Sequence, residues 1–156
     1  MVKLFEEESK FIAMEYYGLI LNRTFLICFT ENSLIGFKIA NLITLETEYD
    51  FLIYPFIKVI QSNSDFDSIN TYIENKYKKH IPIGNMNINK SKASFIIEYS
   101  KIKNVKFNEN KKFGMGYIPQ KGRIIISCEK NREFIILGNQ NSKSIFQKLK
   151  EKINYS

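Results

Sequence analysis

The sequence predicts a mainly β domain of the α+β class: an antiparallel sheet of about seven strands followed by a C-terminal amphipathic helix. Short apolar runs separated by turn residues predict the strands, and apolar residues at helical spacing near the C-terminus predict the helix. A second helical pattern interrupts the strands between residues 40 and 92. At 156 residues the chain fits one domain, which we expect to span 1–156.

The first half of the chain supplies three predicted strands, at 11–21, 24–30 and 34–39. A turn at 31–33 joins the last two into a hairpin, because Asn32 tolerates a left-handed backbone conformation. Side chains alternate within the third strand, with Ile35, Phe37 and Ile39 on one face and Leu34, Gly36 and Lys38 on the other. This period of two is expected when a sheet covers a core with one side only.

The second half resumes the strand pattern at 93–99, 102–107, 123–129 and 133–137, with a long glycine-containing loop at 108–122. Alternation in the last two strands is clear: Ile124, Ile126 and Cys128 share one face, Arg123, Ile125, Ser127 and Glu129 share the other, and Phe134 and Ile136 repeat the pattern. The charged turn between these two strands has no acid–base partner near it in the sequence. We therefore interpret that turn as structural.

Two amphipathic helices are predicted, and each has signals at its ends. In the first, an apolar stripe runs through Phe66, Ile69, Ile73 and Tyr77. Ser64 is a plausible cap for this helix, and Pro82 prevents its continuation. In the second, the apolar face consists of Ile145, Phe146, Leu149 and Ile153, and Asn141 or Ser142 caps the start. This C-terminal helix must dock on an apolar surface, and the open end of the sheet is the nearest candidate.

The net charge of +7 is concentrated in the last third of the chain. Residues 101–156 carry thirteen basic and four acidic side chains, so the rest of the chain is slightly acidic. Only three of the 23 basic residues are arginine, which disfavours nucleic acid because bidentate phosphate and base contacts favour arginine. The candidates for contact with an anionic membrane surface are Lys101, Lys103, Lys106, Lys111, Lys112, Lys121 and Arg123.

The sequence gives little indication of a catalytic or metal-binding site. His80 is the only histidine, so no histidine-dependent triad or zinc site can form. Asp65 and Asp67 fit the acidic first turn of the predicted helix. Cys28 and Cys128 lie in apolar runs, which predicts reduced thiols of a cytoplasmic protein, with a disulfide between them as the alternative. We expect no enzyme activity, no cofactor and no metal.

Aromatic and apolar residues are the candidates for contact with a protein partner, provided that those of the glycine-containing loop lie exposed and do not fold back on the sheet. The candidates are Phe51, Tyr54 and Phe56 in an apolar run, and Phe113, Met115 and Tyr117 in the glycine-containing loop. The apolar run is too short to span a membrane, and burial in the core is its alternative interpretation. For the loop, a long hairpin connection is favoured over a phosphate-binding site because a strand follows it instead of a helix.

Three segments resemble bacterial pleckstrin-homology-like and GRAM-like domains: "RTFLICFTENSLIGFKI" at 23–39, "YSKIKNVKF" at 99–107 and "GRIIISCEKNREFII" at 122–136. The closing helix adds to the likeness. The resemblance implies a partly open barrel whose mouth the helix closes. The segment 40–92 departs from the family pattern and is read as an insertion. Phosphoinositide binding as in eukaryotic relatives is not supported, because the loop between the first two strands offers only Arg23.

Together these observations lead to a functional hypothesis: a non-enzymatic intracellular binding or scaffold module that contacts an unidentified protein partner. The insertion at 40–92 is the candidate partner-binding feature. Peripheral binding of an anionic membrane through the basic region 101–152 is the alternative, with nucleic acid less favoured, and an enzyme using water or a carboxylate is the third. Homo-oligomer formation through edge strands is also expected.

Overall fold

A computed structural model describes residues 10–18, 21–44, 57–59, 90–113, 120–138 and 140–155. Nine strands and one α-helix lie in these ranges: β1 (Lys10–Glu15), β2 (Arg23–Phe29), β3 (Ser33–Ala40), β4 (Leu42–Thr44), β5 (Ile57–Val59), β6 (Phe95–Glu98), β7 (Asn104–Asn108), β8 (Gln120–Ser127), β9 (Arg132–Leu137) and α1 (Ser142–Asn154). Single turns of 3-10 helix occupy Lys90–Lys92 and Tyr99–Lys101. The helix predicted around residues 64–80 lies outside the described residues, as does most of the segment 40–92.

Seven of the strands form one antiparallel sheet in the order β6-β3-β2-β1-β9-β8-β7. Pairing of β1 with β9 joins two meanders, one built from β1, β2, β3 and β6 and the other from β7, β8 and β9. The sheet does not close, and β4 and β5 form a separate parallel pair. The predicted fold class, a mainly β antiparallel sheet with a C-terminal helix, is confirmed. The single domain 1–156 stays a prediction.

One face of the sheet carries the main apolar core. It receives alternate side chains from every strand of the sheet, among them Ala13, Ile27, Leu34, Ile97, Ile124, Ile126, Phe134 and Ile136. The helix α1 packs against this core, with Leu149 fully buried and the ring of Phe146 stacked 5.4 Å from that of Phe107. Asn141 caps the helix, since its side-chain oxygen accepts a hydrogen bond from the backbone N–H of Ser144 at 3.0 Å. The predicted docking of the C-terminal helix is thus observed.

The opposite face of the central strands is also buried. Leu34 and Ile35 are consecutive in β3, so their side chains point to opposite faces, yet both are fully excluded from solvent. Met14 in β1 and Ile135 in β9 are likewise buried on the face away from the main core. The prediction of a sheet with one buried side is therefore wrong for these strands. Leu34 and Ile35 are both apolar and point to opposite faces, so the sequence pattern at this point is equally compatible with burial of one face or of both.

Candidate functional site

The loop that follows β1 projects two tyrosines from a hydrogen-bonded turn. The side-chain oxygen of Asn22, a fully buried residue, accepts hydrogen bonds from the backbone N–H groups of Tyr17 at 2.8 Å and Gly18 at 3.1 Å. Gly18 has φ +122°, a conformation that favours glycine. The backbone N–H of Leu21 then donates to the carbonyl of Gly18 at 3.0 Å. Because of this turn, β1 ends at Glu15, and the prediction of a first strand through residue 21 is wrong.

Large side chains of this loop remain exposed. Tyr16 and Tyr17 are 38 % and 37 % exposed, and Leu21 is 65 % exposed. We use the name tyrosine surface for these three residues, the charged side chains that contact the two tyrosines, and the ion pairs of Glu15 and Glu133 that lie beside the tyrosines. Asn22 holds the backbone N–H groups of Tyr17 and Gly18, so hydrogen bonds restrain this part of the tyrosine surface.

Beside Tyr17, a carboxylate is buried against an arginine. Glu15 is only 2 % exposed, and both of its oxygens accept hydrogen bonds from Nη1 of Arg132, at 2.8 and 2.9 Å. The hydroxyl of Tyr17 also donates to Glu15. The guanidinium of Arg132 lies 4.3 Å from the ring centroid of Phe95, which belongs to the core. This Glu15 cluster therefore anchors the ring of Tyr17 to the inner face of the sheet.

The environment of Tyr17 keeps its phenol protonated. Burial raises the pKa of Tyr17 to about 12, and the hydrogen bond and negative charge of Glu15 act in the same direction. Arg132 and Arg23 oppose this pKa shift, but with smaller effects. Tyr17 is thus a hydrogen-bond donor near neutral pH.

Two further cations flank the ring of Tyr17. The guanidinium carbon of Arg23 lies 5.3 Å from the ring centroid, and Nζ of Lys130 lies 5.6 Å from it. Arg23 is the cross-strand neighbour of Glu15 in the β1–β2 register. Both cations are exposed, and within the described ranges neither has a carboxylate at ion-pair distance. The charged groups around Tyr17 are therefore three cations and one carboxylate.

Tyr16 contacts a second charged cluster on the other side of β1. Glu133 accepts hydrogen bonds from Nζ of Lys112 at 2.8 Å and from Nη1 of Arg123 at 3.0 Å. Nζ of Lys112 also lies 4.1 Å from the ring centroid of Tyr16. The backbone N–H of Lys112 donates to the side-chain oxygen of Gln120 at 2.7 Å. These contacts tie the loop after β7 to the tyrosine surface.

The seven cations predicted from the sequence have different environments. Lys112 and Arg123 are brought together on Glu133, and Lys101 forms an exposed ion pair with Glu98 at 3.2 Å. The remaining four are exposed at separate positions: Lys103, Lys106, Lys111 and Lys121. Their role at an anionic surface stays a prediction.

Of the six aromatic and apolar residues predicted as partner contacts, one is described. Phe113 follows Lys112 directly and is 99 % exposed. The other five lie outside the described residues: Phe51, Tyr54, Phe56, Met115 and Tyr117.

Sequence reasoning missed most of the tyrosine surface. The signal that could have found the loop was Gly18, since an isolated glycine in a strand pattern often marks a break. No sequence signal could have paired Arg132 with Glu15, because 117 positions separate them. Arg132, predicted as part of the charged turn, is the first residue of β9 and has a carboxylate partner in space that is distant in the sequence.

The described residues also include a further groove and two cysteines as candidate sites. A groove of about 660 Å³ lies at the far end of β2 from Arg23, lined by Glu31, Asn32, Ser100, Lys148, Glu151, Lys152 and Tyr155. In the part of the chain that the structure describes, no three His, Cys, Asp or Glu residues are grouped as metal ligands would be. Cys28 and Cys128 are both free thiols, as predicted, and burial raises the pKa of Cys28 to about 11.

Comparison with known proteins adds no relative: the chain matches no protein-family model and no curated protein. Within the described segments, no helix has the length and apolar character required to cross a membrane. The class is therefore defined by the fold alone. It is a mainly β domain whose seven-stranded antiparallel sheet and C-terminal helix are compatible with a pleckstrin-homology-like fold.

Proposed function

We propose that this chain is a non-enzymatic, cytoplasmic binding module of the pleckstrin-homology-like type that acts through protein contacts, and that the tyrosine surface makes the contact. The observation that carries the proposal is the presentation of Tyr16, Tyr17 and Leu21 as exposed side chains on a hydrogen-bonded turn. Tyrosine and arginine are enriched in protein interfaces, and tyrosine supplies a large contact area with little rotamer entropy to lose.

Preorganisation supports the same function. When binding must order a loop, the lost conformational entropy weakens the affinity. A loop that is already ordered therefore binds more tightly for the same contacts. Asn22 holds the backbone of Tyr17 and Gly18, and the hydrogen bond to Glu15 orients the ring of Tyr17. Lys112 contacts the ring of Tyr16 on the other side. These contacts therefore restrict the conformations of the two tyrosines before a partner binds.

The charged groups of the site favour binding over catalysis. Glu15 is occupied by hydrogen bonds from Arg132 and Tyr17, which leaves it poorly placed to take a proton from a substrate. The raised pKa of Tyr17, about 12, likewise disfavours it as a base or nucleophile at neutral pH. These groups position the surface for contact.

A photo-crosslinking experiment tests the proposed function. A photoreactive benzophenone amino acid replaces Leu21 in the full chain, and a matched variant carries it at Ile96, which is also exposed but lies in the edge strand β6. Irradiation in cells should yield a discrete adduct with a different protein at position 21 and none at position 96, where self-association through β6 would yield only crosslinked copies of this chain. Equal labelling at both positions, or adducts only with lipid at position 21, would contradict the proposal.

A second candidate function is peripheral binding of an anionic membrane through 101–152. The observation that favours it is the exposure of Lys103, Lys106, Lys111 and Lys121 together with the exposed ring of Phe113. Each lysine near an anionic surface contributes about 1 kcal/mol, screened by salt. Flotation with anionic vesicles at low but not high salt is expected, and no flotation with either neutral or anionic vesicles would remove this candidate. Self-association through the sheet edges β6 and β7 stays a prediction.

A further inference from the structure

The tyrosine surface has an uneven balance of charge. Its buried or half-buried acids, Glu15 and Glu133, are each bound by at least one cation. The cations that contact the tyrosines or these acids are Arg23, Lys112, Arg123, Lys130 and Arg132. This set carries a net charge of +3, because its five cations exceed its two carboxylates.

Among the described residues, the two exposed cations beside Tyr17 have no carboxylate partner. Arg23 and Lys130 contact the Tyr17 ring, and no carboxylate of the described residues neutralises either. Because both lie within 6 Å of one ring centroid, their charged groups are no more than about 11 Å apart. A guanidinium presents a planar fork of donors that matches a carboxylate. An acidic side chain of a partner can therefore reach either cation while an apolar neighbour covers Tyr17 or Leu21.

We propose that the tyrosine surface recognises an acidic peptide segment, one that places a carboxylate against Arg23 and Lys130 and an apolar side chain against Tyr17 and Leu21. This inference rests on the proposed function and names the chemistry of its partner. Charge complementarity favours an acidic peptide over a basic one. The exposed charges next to Tyr17 are positive, and the acids of the surface are already paired with cations.

A membrane is the weaker match for this surface. Electrostatic membrane binding ordinarily uses clusters of about four to eight basic residues. Among the described residues, only Arg23 and Lys130 combine exposure with contact to Tyr17. The other three cations of the surface are already bound by Glu15 or Glu133. Two cations around an aromatic ring instead suit a short motif, in which one carboxylate and one apolar anchor supply the specificity.

Selection from a displayed library of random peptides tests this inference, with the full-length protein immobilised as bait. Peptides rich in Asp or Glu next to an apolar residue are expected. Their affinity should fall about tenfold or more in the Arg23→Gln, Lys130→Gln double variant, the loss associated with charge-assisted hydrogen bonds. The control is Lys103→Gln with Lys106→Gln, which removes the same charge from exposed positions at the edge strand β7, separated from β1 by two strands, and should bind as the wild type does.

Each result supports or overturns the inference. Selected peptides without acidic enrichment would overturn it, as would equal losses in the two double variants. Flotation with anionic vesicles that depends on Arg23 and Lys130, without acidic peptides in the selection, would reassign the surface to a membrane. If the double variant fails to fold, the affinity of the wild-type protein for a selected peptide is measured at increasing salt concentration. Binding of an acidic peptide requires this affinity to fall as ionic strength rises, and an unchanged affinity would overturn the inference. A protein adduct at Leu21 with non-acidic selected peptides would leave the proposed function intact and overturn only this inference.

Discussion

Gly36→Ala is expected to destabilise the fold, because the ring of Phe95 occupies the space that a side chain at position 36 needs. A Cβ at Gly36 would lie 2.1 Å from Cζ of Phe95 and 2.2 Å from Cε1. Non-bonded carbons normally lie about 3.5–4.0 Å apart, so the ring would have to move by roughly 1.5 Å. That movement is opposed by neighbours, since the ring centroid lies 5.1 Å from that of Phe25, 5.6 Å from that of Phe134 and 4.3 Å from the guanidinium of Arg132.

The expected loss follows from three contributions. Overpacking a core costs about 1–3 kcal/mol, and displacing the ring weakens aromatic and cation–π contacts that contribute about 0.5–1.5 kcal/mol each. Alanine is favoured over glycine inside a strand by about 0.5–1 kcal/mol, and Gly36 can realise that gain because its φ is not in the left-handed region. The net loss is about 2 kcal/mol, or roughly 4–8 °C in Tm for a chain of this size.

Urea unfolding of four proteins provides the assay: wild type, Gly36→Ala, Phe95→Leu and the double variant. Leucine at position 95 removes the ring edge that the new methyl group meets, so Gly36→Ala should cost much less in that background. The cycle should therefore show a favourable coupling of about 1–2 kcal/mol. A Gly36→Ala protein as stable as wild type, or two losses that simply add, would refute the steric reasoning.

Three further perturbations have defined outcomes. Glu15→Gln should cost about 3 kcal/mol of unfolding free energy, because it leaves the largely buried guanidinium of Arg132 without its carboxylate; a loss below the measurement error in urea unfolding would show that the pair adds nothing. Asn141→Ala should cost about 1 kcal/mol through loss of the helix cap, and an unchanged midpoint would argue against that cap. Burial raises the pKa of Tyr99 from 10.0 to about 12, so its neutral phenol stabilises the fold below pH 10 and that contribution is lost as pH rises toward 12. Tyr99→Phe should accordingly lose less stability than wild type between pH 10 and 12, and parallel pH profiles would contradict this assignment.

Local patterns in the sequence account for much of the sheet. Period-two alternation at Ile124, Ile126 and Cys128 correctly indicated the core face of β8, and the apolar spacing around Leu149 correctly indicated a helix that docks on the sheet. Each of these features depends on neighbours within a few residues, which is the range over which backbone geometry fixes where side chains point.

The candidate site was far less predictable. Lys112 was predicted as an anion contact and Phe113 as a partner contact, but the turn at Tyr17 and Gly18 was predicted to be part of a strand. The residue at which β1 ends depends on the side chain of Asn22. This side chain accepts hydrogen bonds from the backbone N–H groups of Tyr17 and Gly18, which would otherwise be free to continue the strand pairing. Whether a side chain or a neighbouring strand binds these N–H groups depends on the positions of both in the folded chain.

By itself, the sequence determined the fold class, the inward faces of the later strands and the concentration of positive charge in the last third of the chain. Only the tertiary structure decided which charges meet: Glu15 with Arg132, and Glu133 with both Lys112 and Arg123. The physical reason is that alternation and helical spacing are local properties of the backbone, whereas ion pairs across a sheet depend on strand order and register. Here the pairing of β1 with β9 joins an early strand to a late one and places the exposed tyrosines among the cations of the last third of the chain.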